Sequence, residues 1–436
     1  MLIPTRRWLV IAVLLAAVAI LGYAWAPALG LLLLLDLLWV GMLAWDGWRA
    51  SRQPLTVERD APPAFSVGRT LPVWYRWEAH LDRPQRLRVR ELMPAPLGGA
   101  DLPERDIRLL PGLTRERLDI VPEFRGRGTG GDISVRRLGP LGLAWQQERK
   151  RVPWDATVFP SLTGAVSRGL PAQAIRRREA GLRSIRRPGE GRLFEGLREW
   201  VPGDDTRIID WKATARRRKL IGRVYEDERR QRVLLILDAG RLLTAESEGV
   251  PRLERAVQAA LRLAYAAIDH DDDVGLLVFA DTIQAYVPPT RGRRALRGVL
   301  DALATAEGRL VESNYPLAFR YLAMRNRKRA LTVFFTDVID RTASAALVAQ
   351  TAMLRPRHLP MAVTLKDPAL ERLSSLRPAS DAEAYERAAA EELLLAREQA
   401  LDSMRKQGVL VLDVPPESAG EAVVQRYHAL KRRGVL

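Results

Sequence analysis

From residue 232 onward the sequence alternates between short apolar runs and helix-length amphipathic segments, and this alternation restricts the fold more than any other feature. The runs are "RVLLILDAG" (232–240), "DVGLLVFAD" (273–281), "IQAYVP" (283–288), "RALTVFFTDVID" (329–340), "LPMAVTL" (359–365) and "VLVLDVP" (409–415). Between them lie "RLERAVQAALRLAYAAID", "RRALRGVLDALATA", "YPLAFRYLAMRN", "ASAALVAQTAML" and "ASDAEAYERAAAEELLLAREQALDSMRKQG", the last read as a long helix pair; "ESAGEAVVQRYHALKRR" closes the chain. Near-continuous apolar strands interleaved with helices predict a doubly wound, mostly parallel sheet covered on both faces. In such sheets function gathers at the carboxyl ends of the strands. Asp238, Asp281 and Asp337 each fall at such an end.

The N-terminus reads differently. Trp8 to Ala26 carries no charge, and Ala28 to Trp45 carries only Asp36. A spanning helix needs about 20 apolar residues, with a lower limit near 17. Helices over 8–26 and 28–45 are therefore expected to form a transmembrane hairpin, turned at Pro27 and Gly30. Arg6 and Arg7 precede the first and Arg49 and Arg52 follow the second, which places both ends in the cytoplasm by the charge rule. The expected location is the inner (cytoplasmic) membrane, two-pass, with the remaining domains in the cytoplasm. Asp36 is expected to make a polar contact between helices or protomers.

Residues 54–160 hold short, often alternating runs such as "LPVWYRWEAHL", "RLRVREL" and "GDISVRRL", punctuated by Gly and Pro. They predict a β-sandwich-like domain used for interaction or spacing. Residues 161–225 form a basic connector followed by a signature segment, and 226–436 the α/β domain. The connector's Arg-rich run "RRREAGLRSIRRPGEGR" reads equally as a solvated linker, a contact to an anionic lipid surface or a nucleic-acid contact. Sparse aromatics argue against base stacking there. The formal charge of +17 calls for an anionic neighbour.

No cysteine is present, which excludes disulfides and thiolate chemistry. The histidines at 80, 270, 358 and 428 show no metal-ligand spacing and read as surface or loop residues. No Walker A loop and no nucleophile–base pair is found, so no catalytic residue is assigned and the chain is not expected to be an enzyme.

One stretch is chemically dense. "GLREWVPGDDTRIIDWKATARRRKLIGRVYEDERRQRVLLILDAG" resembles the core signature of the "domain of unknown function 58" family. Arg198, Gly203, Asp204, Asp205, Arg207, Ile209, Asp210, Trp211, Ala215, Arg216 and Glu228 fit that pattern, and Trp200 stands where the family has Tyr. The resemblance implies a von Willebrand factor A-like α/β domain behind a membrane anchor and a β-rich segment. It also implies partnership with a MoxR-type AAA+ ATPase in assembling or remodelling a client protein complex. From the residues alone, Asp204 or Asp205 and Arg207 suit a turn clasp. Asp210, Trp211 and Ala215 are expected to pack a short helix onto the α/β domain, with Trp and Arg offering a partner surface. A membrane-tethered nucleic-acid binder is the alternative reading of the chain.

The resemblance also implies a metal-ion-dependent adhesion site, D-x-S-x-S with a later Thr and Asp, holding Mg²⁺. Asp238 is kept, Gly240 and Leu242 replace both serines, Ser313 falls on the Thr position and Asp337 on the final Asp. Two lost hydroxyls make the site degenerate. Arg241, between them, is placed to pair with Asp238 or Asp337 in place of the cation. Asp281 lies outside the pattern and reads as a helix cap.

Overall fold

The structure, a computed structural model, describes residues 1–22, 26–52, 54–81, 83–99, 103–161, 193–201, 206, 209–226, 230–247, 249–338, 344–355 and 357–435. Two compact units emerge: Met1–Leu162 with Leu300–Glu307, and Thr163–Val299 with Gly308–Leu436. The connector expected over 161–192 lies almost wholly outside the described residues.

The first unit begins with strand β1 (Leu2–Pro4) and helices α1 (Arg6–Gly22) and α2 (Ala26–Ser51). Strands β2 (Leu55–Asp60), β3 (Phe65–Ser66), β4 (Leu71–Ala79), β5 (Gln85–Leu92), β6 (Arg105–Leu109), β7 (Gly112–Ile120), β8 (Gly126–Leu138) and β9 (Ala144–Phe159) follow. They form two sheets, β1-β9-β8-β5-β6 with β3 beside β9, and β2-β4-β7. Inward residues at every second position, Val73, Tyr75 and Trp77 of β4 with Leu87 and Val89 of β5 and Ile133 and Val135 of β8, share one core. Glu91 is buried within it and holds Arg59 and the Tyr75 hydroxyl, the latter at 2.6 Å.

The N-terminal expectation is corrected by the structure. Among the described residues no helix is long and apolar enough to cross a membrane. Helix α1 spans 17 residues but opens with Arg6 and Arg7, which leaves an apolar course of about 15 residues, under the lower limit near 17. Helix α2 does not end at Trp45 but runs to Ser51, and Asp36, which is exposed, interrupts its apolar course. The transmembrane hairpin, and the two-pass inner-membrane location inferred from it, therefore lose their basis. The helices meet instead through Trp8 and Trp39, whose rings stack at 6.3 Å.

The end of α2 belongs to the β unit. Asp46 is fully buried, and its carboxylate accepts the backbone N–H groups of Leu141 (2.7 Å), Leu143 (2.8 Å) and Ala144 (2.9 Å). A carboxylate near a helix C-terminus opposes the helix dipole, so the three donors of the β8–β9 turn are what make it tenable. Gly139 leaves the carboxylate room, since a β-carbon there would lie 2.3 Å from it.

The second unit contains the pair β10 (Leu193–Glu199) and β11 (Ile221–Glu226), with helix α3 (Trp211–Arg217) between them. Its main sheet comprises β12 (Arg232–Asp238), β15 (Asp273–Phe279), β16 (Ile283–Thr290), β17 (Leu331–Phe335), β18 (Leu359–Leu365) and β19 (Leu410–Val414). A small hairpin, β13 (Glu246–Ser247) and β14 (Val250–Pro251), follows helix α4 (Arg241–Thr244). The spatial order is β16-β15-β12-β17-β18-β19. Counted along the chain this is 3-2-1-4-5-6, parallel throughout except for the antiparallel edge strand β16.

Helices α5 (Arg252–Asp269), α6 (Gly292–Ala304, in this unit as far as Val299), α7 (Tyr315–Arg325), α8 (Ala345–Leu354), α9 (Pro368–Ser375), α10 (Asp381–Lys406) and α11 (Ala419–Arg432) complete the unit. Leu234, Ile236, Phe334 and Ala362 face α7, α8 and α10. Residues 379–408, read as a helix pair, form the single 26-residue helix α10, since no Gly or Pro interrupts Asp381 to Lys406.

Replacing Asp46 with Ala strands three backbone donors, those of Leu143 and Ala144 buried. The expected cost is about 3 kcal/mol or more, read as a lower urea midpoint for the first unit, with Asp46→Asn losing less.

Candidate functional site

Asp238 ends β12, next to the point where the strand order reverses between β12 and β17. Its side chain is buried and fully engaged. Oδ1 accepts the N–H of Gly240 at 2.9 Å and the hydroxyl of Ser313. Oδ2 accepts the Tyr315 hydroxyl at 2.7 Å and the Thr336 hydroxyl at 2.8 Å. Burial, followed by the negative charge of Asp238, pushes the Tyr315 hydroxyl well above its ordinary value of 10, so it stays a neutral donor.

Gly240 stands where the adhesion pattern has its first serine, and the structure explains the exchange. A β-carbon at 240 would lie 2.0 Å from the Ser313 hydroxyl oxygen. The hydroxyl of Ser313 occupies the space that a side chain at 240 would need.

Asp337, just beyond β17, is equally buried. Oδ1 accepts from Arg397 at 2.5 Å and from the N–H of Val338 at 2.8 Å, and Oδ2 accepts from Arg252. Arg397 comes from α10 and also donates to the Leu365 carbonyl at 3.0 Å and to Asp413 at 2.8 Å, tying the ends of β18 and β19 to that of β17. Arg252, at the start of α5, reaches the Lys366 carbonyl at 3.3 Å and Asp367 at 3.2 Å. Burial raises the Asp337 carboxyl above its ordinary value of 3.8, while Arg397 and Arg252 pull it back.

The arrangement does not fit Mg²⁺. That ion demands near-octahedral oxygen ligation and keeps several waters. Here both oxygens of Asp238 and both of Asp337 already receive N–H and O–H donors, and position 240 offers no hydroxyl. Among the described residues no group of three or more His, Asp or Glu is placed to hold a metal ion. Two guanidiniums supply positive charge at Asp337 instead. Replacement of a cation by arginine was the expectation for Arg241, but Arg241 pairs with Glu312 at 2.5 Å. Arg252 and Arg397 escaped the sequence reading, although each left a trace. Arg397 falls on the buried stripe of α10 with Ala390, Leu401 and Met404. Arg252 sits in the first turn of α5, where a cation opposes the helix dipole. Asp281 caps no helix; it is half-exposed and pairs with Arg309 at 3.2 Å.

The signature stretch is a long excursion between β10 and β11. Asp210 is the N-cap of α3: Oδ1 accepts from Lys212 and Ala213, both at 3.0 Å, and its own N–H donates to Ile221 at 2.7 Å. Helix α3 meets β11, where the Ile221 N–H donates to the Thr214 hydroxyl at 3.0 Å, but none of its residues is fully buried. Trp211 is 68% exposed, and Arg216 is also exposed. Trp200 is half-buried and its backbone N–H donates to Leu220 at 2.8 Å. Arg198 pairs with Gly222 in the β10–β11 ladder. Gly203, Asp204, Asp205, Arg207 and Glu228 lie outside the described residues.

His270 and His358 lie in loops, as expected, whereas His428 lies within α11. His358 is buried, and His270 Nε2 lies 3.2 Å from His428 Nδ1. Burial lowers the imidazoles of His358 and His428 below the ordinary 6.5; His428 is also depressed by His270, Arg432 and Lys431.

The second unit is thus an α/β domain of 3-2-1-4-5-6 order whose strand-end site is closed by arginine. Residues 196–406 match the family described as "Protein of unknown function DUF58". The chain is 26% identical over 266 residues to uncharacterized proteins of Mycobacterium tuberculosis and Mycobacterium bovis, covering 57% of this chain and 80% of theirs. Among solved structures it is similar to the CARDB domain of the PF1109 protein from Pyrococcus furiosus, at 14% identity, over 24% of this chain and 93% of that one, with a TM-score of 0.17. A PapD-like domain of human CEP192 matches at 14% identity over 24% of this chain and 86% of that one, with a TM-score of 0.17.

Three outcomes are expected. Arg397→Ala leaves Asp337 and Asp413 short of a buried partner and should cost about 3–5 kcal/mol, measured by urea denaturation. The thermal midpoint of the wild-type protein should be the same in excess Mg²⁺ and in EDTA. Because burial depresses His358 and His428, their contribution to stability is present above pH 6.5 and lost as pH falls through their lowered values. A His358→Gln/His428→Gln variant should therefore show a shallower fall in urea midpoint below that pH.

Proposed function

We propose that this protein is a non-catalytic adaptor that works with a MoxR-type AAA+ ATPase in assembling or remodelling a client protein complex. The observation that carries this reading is the exposure of Trp211 in the middle of the family signature. A seven-residue helix is too short to be stable alone. It is held by the Asp210 cap and the β10–β11 ladder, yet none of its residues is fully buried. Trp211 instead stands in solvent beside Lys212, Arg216, Arg217, Arg218 and Lys219. Exposed Trp and Arg are the residue types that most often carry binding energy at protein interfaces.

The strand-end site supports the same reading. Asp238 and Asp337 are spent on internal donors, and Tyr315 is held as a neutral donor. Neither carboxylate is left as a free base, and the hydroxyl of Ser313 is itself committed to Asp238. The place where an open α/β sheet usually takes its ligand is filled by the protein's own side chains.

The test is affinity purification of the full chain from its native cells, with and without ATP. The expected outcome is recovery of a MoxR-type ATPase whose yield depends on nucleotide, and loss of that yield by tenfold or so in Trp211→Ala with the circular dichroism unchanged. If the wild-type protein brings down no ATPase, or nuclease-sensitive nucleic acid in its place, the adaptor reading fails.

A further inference from the structure

The α/β unit carries opposite charge at its two poles. Its basic pole is the part of the sheet edge where β17 and β18 begin. No acidic residue occurs from Ser313 to Thr336 or from Ser344 to Lys366. The turn leading into β17 presents Arg325, Arg327, Lys328 and Arg329, and the turn leading into β18 presents Arg355 and Arg357. These strands are neighbours, with Leu331 opposite Leu359, so the two turns lie side by side at a spacing of about 5 Å. All six side chains are exposed, and among the described residues none of them forms an ion pair. Some other exposed arginines of the unit are paired: Arg309 with Asp281, Arg291 with Asp271, Arg405 with Asp402. Met324 and Met353, 73% and 72% exposed, flank the basic turns.

The acidic pole is the first half of α10. The helix ends at Lys406, beside the same basic edge: a β-carbon on Gly408 would lie 2.5 Å from the Arg355 guanidinium carbon. Nine residues earlier, Arg397 contacts Asp337, Leu365 and Asp413 at the opposite edge. Those nine residues rise about 14 Å, roughly a strand's length. Residues Asp381 to Ala396 therefore carry the helix about 24 Å further, beyond the strand ends. This stretch holds Asp381, Glu383, Glu386, Glu391 and Glu392 against a single Arg387, and all five acids are exposed. Tyr385 and Leu395, 77% and 62% exposed, lie among them.

One continuous helix separates the two poles, so the acidic end cannot fold back onto the basic edge of its own molecule. We propose that the α/β unit self-associates head to tail, with the acidic half of α10 in one copy docking on the basic β17–β18 edge of the next. Arginine grips carboxylate through two parallel N–H bonds, and the exposed methionines meet the exposed Tyr385 and Leu395. Such a contact is heterologous: it closes into a ring or continues as a filament. A nucleic acid is the rival occupant and fits less well. The aromatic rings near the edge, Tyr286 and Tyr321, pack edge to face against each other, and each has the Arg325 guanidinium over it, at 5.6 and 4.6 Å, so they are engaged within the molecule rather than set out as a stacking platform. The proposal is independent of the ATPase reading.

The experiment is sedimentation velocity of the full chain at low and high salt, with two charge-reversed variants. One carries Arg327→Glu, Lys328→Glu and Arg357→Glu; the other carries Glu383→Lys, Glu386→Lys and Glu392→Lys. All substitutions are at exposed positions, and circular dichroism checks folding. The wild-type protein should form larger species that dissociate as salt screens the contact. Each variant alone should associate on the order of tenfold more weakly or worse, and an equal mixture of the two should recover a defined complex. Salt-insensitive association, association unchanged by either reversal, or a mixture that stays dissociated would each overturn the proposal. So would large species that disappear on nuclease treatment, which would assign the basic edge to nucleic acid.

Discussion

The ion network on Asp337 sets the geometry of the α/β unit. One guanidinium, that of Arg397, joins the carboxyl ends of three adjacent strands, β17, β18 and β19, to the middle of the longest helix in the unit. A second, that of Arg252, fixes the start of α5 to the same carboxylate and to the segment after β18. Buried charges are costly to desolvate and need close pairing with added hydrogen bonds, which both oxygens of Asp337 receive here, although the Nε of Arg252 is buried without a partner. The network is therefore a set of distances that the surrounding elements must keep together. The direction of α10 past the sheet, and with it the separation of the charged poles, follows from where Arg397 is held.

The first unit repeats this logic with a backbone partner. Asp46 draws the turn between β8 and β9 onto the end of α2 through three N–H groups, and β1 pairs with β9 from the other side. The N-terminal segment is thus integral to the β unit at both of its ends rather than an appendage to it. An apolar segment that looks self-sufficient in sequence is here tied down by one acidic residue near its close.

How much of this was legible depended on whether the signal was periodic or pairwise. The apolar runs at 232–240, 273–281 and 359–365 coincide with β12, β15 and β18 because a strand buried on both faces must be apolar throughout. The extra length of α2 was missed because Asp46 looks like a solvated helix end until its three donors are seen. Within the site, Asp238, Ser313 and Asp337 were singled out. Asp238 and Ser313 meet directly, while Asp337 is taken up by arginines drawn from α5 and α10. Those partners lie 85 and 60 residues away along the chain, and no local pattern specifies such a pairing. Tyr315 and Thr336 were missed for the same reason. The capping role of Asp210 is local, formed with residues two and three positions on, but the exposure of Trp211 is not, since it depends on nothing else coming to cover it.

The steric exclusion between Gly240 and Ser313 bears on any attempt to build a cation site here. A side chain at position 240 would need Ser313 to move, because its β-carbon would lie 2.0 Å from the oxygen that binds Asp238. Nor would a hydroxyl at 240 free Asp337 from its two arginines. Engineering such a site would take coordinated changes on a strand-end loop, a neighbouring loop and two helices.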